Sequence, residues 1–152
     1  MEALLTWLAG TPLAEWMRLS RWGYATVNAL HVLGVALLVG AIAALDLRLL
    51  GWRRRLPLAP LRRLLQPVAM AGLSLALGAG LMLFLADPTG YAAMPLFWLK
   101  LSLIALAITN ALALNLGPGV EHASPRRLRL AGGLSLPLWL GALACGRFLA
   151  FV

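Results

Sequence analysis

The sequence predicts an all-α, polytopic membrane protein: a four-transmembrane-helix bundle preceded by an N-terminal interfacial amphipathic helix, both termini periplasmic. Three observations predict it. Of the 152 residues, 62% are hydrophobic and only 12% charged, against about 45–50% and about 25% in a soluble domain. Four apolar runs are each long enough to cross a bilayer, which takes about 20 helical residues. The arginines fall in alternate connections between those runs, the pattern of topology signals.

Taken in order, residues 3–20 read as one or two short amphipathic helices lying at the interface. Thr11 followed by Pro12 has the chemistry of an N-cap and first helical residue. Trp7, Trp16 and Trp22 suit the headgroup level. Glu2 and the interrupting "GTPLAEW" argue against a secretory signal. The spans are expected at about 22–45, 64–86, 96–116 and 130–151. Between them lie "RRRLPLAP", "ADPTGYAAMP" and "GPGVEHASPRR", each with helix breakers. No internal repeat or linker divides the chain, so it reads as a single domain, 1–152.

Orientation follows from charge. The first connection carries Arg48, Arg53, Arg54, Arg55, Arg62 and Arg63, and the third carries Arg126, Arg127 and Arg129. The middle one carries no Lys or Arg. The positive-inside rule places the basic connections in the cytoplasm of a bacterial inner membrane. The net charge of +8 is thereby explained without nucleic acid as a partner; the lipid bilayer is the expected environment. Asp46 and Arg48 are expected to pair at the end of the first span.

The histidine in "NALHVLG" carries the functional question. His31 lies roughly 13 Å from the periplasmic end of its helix, near mid-bilayer, and an ionisable group there is costly. Tyr24, Asn28 and His31 are spaced i, i+4, i+7 and form one polar stripe, expected to face the bundle interior. At the same depth the other spans offer small residues: Gly78, Gly80, Ala105 and Gly141. Two readings compete. The small residues let helices close up, with His31 bonding a neighbouring carbonyl, or they leave room for a flat redox ligand. Lys100 and Arg147 lie about a turn inside the periplasmic ends of their spans. They either snorkel or form a positive mouth above His31, with Asp87 or Glu15 as partners.

Under the ligand reading the cofactor is haem b or a quinone. His31, Asn28, Tyr24, Gly78, Gly80, Gly141, Lys100 and Arg147 would line the site, with His31 as the metal ligand. The spacing argues against a bis-histidine haem, because His122, the other histidine, falls in a basic connection more than about 15 Å away; a haem would need His31 alone, or with a weaker or exogenous ligand. His122 reads as a solvated turn residue. Copper(I) is the weaker option: Met17, Met82, Met94 and Cys145 share the outer half without any M-x-M or C-x-x-C spacing. The single cysteine excludes an internal disulfide. No catalytic signature occurs. Ser102 and Asn110 read as interhelical hydrogen-bonders. Three functional classes stay open: an electron-transfer or accessory subunit, a metal or small-solute permease, and a purely structural assembly subunit. Other membrane subunits or a second copy are the expected partners.

The segments "HVLGVALLVGAIAALDLRLLG" (31–51), "FWLKLSLIALAITNALAL" (97–114) and "ACGRFLAF" (144–151) carry a resemblance. The chain resembles an uncharacterised family of short four-helix bacterial inner-membrane proteins, distantly similar to the copper-resistance D-type membrane proteins. The resemblance implies the four-span topology and places His31, Asp46, Arg48, Lys100, Asn110 and Arg147 on family motif positions. It implies no activity. The chain departs from the family at Asn28, where relatives often carry Glu, and near Asn115, where they often carry His.

Overall fold

In a computed structural model the described residues are 2–116, 120 and 123–151, and they are helical with no strand among them. His122 lies outside the described residues. The elements are α1 (Glu2–Ala9), α2 (Pro12–Leu19), α3 (Arg21–Leu50), α4 (Leu58–Ala86), α5 (Pro88–Ala93), α6 (Pro95–Leu116) and α7 (Pro125–Phe148). Four of them, α3, α4, α6 and α7, are long and apolar enough to cross a membrane.

Of the one or two short helices expected at the N-terminus, the structure has two. The Thr11 hydroxyl accepts from the Ala14 amide at 3.3 Å, capping α2 ahead of Pro12. Helix α2 then buries Ala14 and Met17 against the bundle, while α1 buries nothing. Trp7, Trp16 and Trp22 stay exposed.

The spanning helices differ from their apolar runs at the ends. Helix α3 continues to Leu50 and stops where Gly51 turns left-handed, with φ 110°. Helix α4 begins at Leu58, so Arg62 and Arg63 are helical rather than loop residues. Helix α7 is capped by Ser124, whose hydroxyl accepts from the Arg127 amide, and it ends at Phe148. Backbone hydrogen bonding continues past the edge of an apolar run, because water tolerates helix as well as lipid does. The connection at 86–95 likewise holds a helix, α5. Asp87 accepts from the Gly90 amide at 2.9 Å and Pro88 opens the first turn.

In the bundle α3 packs between α4 and α7, and α6 packs on α7. Leu38, Ala41, Ala69, Ala107 and Trp139 form a buried cluster that joins all four spans. The closest approach is between α3 and α4. A Cβ at Gly34 would lie 2.6 Å from the Ala76 nitrogen, and one at Gly72 would lie 2.6 Å from the Leu38 nitrogen. Only glycine allows backbones this close, the device expected of membrane helices. At the end away from the basic connections, Phe84 and Phe97 stack at 5.4 Å with Tyr91 beside them, tying α4, α5 and α6 together.

Candidate functional site

The glycine contact fixes the environment of His31. One turn along α3 from Gly34, the imidazole meets the next turn of α4, and its Nδ1 lies 2.8 Å from the Ala76 carbonyl oxygen. A carbonyl only accepts, so Nδ1 carries a proton, which in the neutral ring leaves the lone pair on Nε2. Gly80 makes the slot: a Cβ there would stand 3.0 Å from His31 Cε1 and 3.2 Å from Nδ1. The imidazole is therefore half-buried against α4, held by one hydrogen bond.

The other expected site residues scatter. Gly78 has nothing within 4 Å of a Cβ and faces away from His31. Gly141 packs on Leu103 of α6, with a Cβ contact of 3.3 Å. Ala105 lies exposed. The ring of small residues thus reduces to Gly80, since equal depth does not put residues on the same helix face. The polar stripe also turns outward: Tyr24 and Asn28 are exposed, although sequence reasoning placed the stripe inside. Helix α3 gives its interior to Val27, Gly34, Leu38 and Ala41 instead.

Tyr24 reaches Tyr91 of α5. Burial, with the Tyr24 hydroxyl and the Asp87 charge close by, pushes the Tyr91 hydroxyl above the usual tyrosine range.

The two cations separate. Lys100 turns inward against α7, with Nζ 3.4 Å from where a Gly146 Cβ would stand and Cys145 close by. It lies within electrostatic reach of His31. Arg147 is exposed and stacks over the Phe151 ring, 4.7 Å from its centroid. The expected double-cation mouth is not formed. Asp87, one expected partner for those cations, caps α5 instead. Two shallow grooves of about 510 and 400 Å³ open on the surface. Arg62, Arg63, Gln66, Pro67 and Met70 line the first, and Met17, Arg18, Leu19, Arg21, Tyr24 and Ala86 line the second. His31 lines neither.

Metal ligation finds little support. Among the described residues no group of three or more His, Cys, Asp and Glu side chains could hold an ion. Met17 is 1% exposed and packs with Val27, Ala79 and Met82, filling an apolar cluster.

At the basic end, Asp46 and Arg48 do not pair. Residues two apart on a helix project to different sides. Arg48 donates to the Leu56 and Arg54 carbonyls at 2.8 and 3.0 Å, closing the turn after α3. Asp46 turns into the α7 contact. Asn110 does bridge helices as expected, donating to the Ala131 carbonyl at 2.9 Å, whereas Ser102 lies exposed.

Sequence reasoning missed Gly34 and Gly72, the pair that sets the α3–α4 contact. The signal was present: Gly72, Ala76 and Gly80 recur every four residues and share one helix face, and Gly78 is out of that register. Comparison of the chain with family models, curated proteins and solved structures found no match.

Proposed function

We propose that the chain is a multi-pass accessory subunit of a bacterial inner membrane, with its basic connections cytoplasmic, contributing structure to a larger membrane assembly. The observation that supports a structural, ligand-free role is the His31 Nδ1–Ala76 contact of 2.8 Å in the slot opened by Gly80. The imidazole serves as a clamp between α3 and α4, and this use needs no ligand. The topology implied by the resemblance to short four-helix inner-membrane proteins accords with this proposal. The test is native electrophoresis of gently solubilised membranes. The chain is expected in a complex larger than itself, whose wild-type form shows no pigment. Migration as a lone chain would overturn the assembly role.

A second reading, electron transfer through haem b or a quinone, is favoured by the tautomer. A backbone carbonyl on Nδ1–H is the support commonly given to an imidazole that ligates through Nε2. His31 Nε2 would ligate the haem iron, or accept from the hydroxyl of a quinone's reduced quinol form, with Lys100 the compensating charge. A Soret band or an extractable quinone that disappears in His31→Ala would establish it. Their absence from the wild-type protein would end it.

A further inference from the structure

At the other end of α3, Asp46 is 5% exposed, and its Oδ2 has no hydrogen-bond partner among the described residues. Helix α7 packs tightly beside it: a Cβ at Gly132 would stand 3.0 Å from the Asp46 main-chain carbonyl oxygen and from the Leu49 Cβ, and 3.5 Å from the Asp46 Cα. Its polar neighbour is the Ser135 hydroxyl of α7, itself buried.

The basic groups on the surrounding elements are engaged elsewhere or point outward. Arg48, on the same helix, is held by the Leu56 and Arg54 carbonyls. Arg62 of α4 donates to Gln66 and Asn115, and Arg63 is exposed. On α7, Arg127 donates to the Ala113 carbonyl and Arg129 is exposed.

An ionised carboxylate in this position would be shut away from water with no counter-charge and an unsolvated oxygen, an arrangement proteins avoid by neutralising the group. We propose that Asp46 is a proton-binding site. In the resting fold it is a neutral carboxylic acid, and it exchanges that proton with the aqueous phase at the basic end of the bundle. The exchange is R–COOH giving R–COO⁻ and H⁺, the proton passing to water. The route is short: Asp46 lies four residues before Leu50, the end of α3, or roughly 6 Å along the axis. This site is separate from His31.

The test is infrared spectroscopy of the full chain in lipid vesicles at neutral pH. The expected spectrum contains the carbonyl stretch of a neutral carboxylic acid, shifted to lower frequency in heavy water and lost in Asp46→Asn. Should that variant fail to fold, carboxyl-labelled aspartate in the wild-type chain moves the same band. The other aspartate, Asp87, is exposed and accepts hydrogen bonds from Thr89 and the Gly90 amide, so the Asp46→Asn variant tells the two apart. The proposal is overturned by a spectrum without the acid band, by a band indifferent to heavy water, or by one indifferent to the aspartate label.

Discussion

His31 and Asp46 sit on the same helix, roughly 22 Å apart along its axis, and each adjoins a glycine of a neighbouring helix. The two glycines have opposite effects. Gly80 withholds a side chain so that the imidazole can occupy the space and reach a carbonyl. Gly132 withholds one so that backbones can meet beside the buried carboxyl. A small residue facing an ionisable one therefore does not by itself signal a cavity. What matters is whether the side chain or the backbone moves into the space.

The largest expected effect comes from breaking the contact on which the His31 geometry depends. Gly34→Val or Gly72→Val places side-chain carbon against backbone atoms that cannot give way. The cost should reach about 3 kcal/mol, the upper part of the range for overpacking, as measured by reversible unfolding in mixed micelles. A wild-type stability would show that α3 and α4 are not held by this approach. It would also remove the reason for His31 meeting Ala76.

The next effects test the comparison itself. His31→Leu deletes one interhelical hydrogen bond and should cost about 1 kcal/mol. Asp46→Leu replaces a carboxyl that has an unpartnered oxygen with an apolar group, so it should be neutral or stabilising by up to about 1 kcal/mol. Opposite signs on one helix are the expected signature. Equal losses would mean that Asp46 is as fully satisfied as His31. Gly80→Ala should cost up to as much as losing the His31 bond, because its Cβ would press on the ring at 3.0 Å and the ring must give by a few tenths of an ångström. In the double variant with His31→Leu the second loss should largely vanish. Additive losses would separate Gly80 from the imidazole.

The number and order of the spanning helices and the Thr11 cap could be read from the sequence, whereas α5 could not, because hydropathy and capping are local properties and a short polar helix carries no hydropathy signal. The terminal turns, beyond the reach of hydropathy, came out differently, as at Arg62 and Arg63 on α4. The site was only partly legible. Depth counting brought His31 to the level of Gly80, and the structure places them in contact. The same counting brought Gly141 to that level, but it packs on Leu103. Rotation about the helix axis is set by the closest backbone approach, here Gly34 with Gly72 and Ala76. A helix with apolar residues on all sides carries no stripe to reveal that rotation. The facing of Asn28 is hidden for the same reason: its polarity predicts the interior, yet it is exposed beside buried Val27.

The smallest expected effect concerns that outward surface. Gly78 has nothing within 4 Å of a Cβ, so Gly78→Ala should leave the isolated chain unchanged or gain a few tenths of a kcal/mol from helix propensity. The same substitution made in native membranes is the informative half of the experiment. If the chain stands alone there, Gly78→Ala, and even Gly78→Leu, should again be silent. If a partner helix packs on α4, its backbone would exploit the bare glycine as α3 exploits Gly72, and Gly78→Leu should shift the complex to the size of the free chain. A silent Gly80→Ala beside a costly Gly78→Ala in the purified monomer would reverse the facing of α4. The contact between His31 and Gly80 would then be untenable.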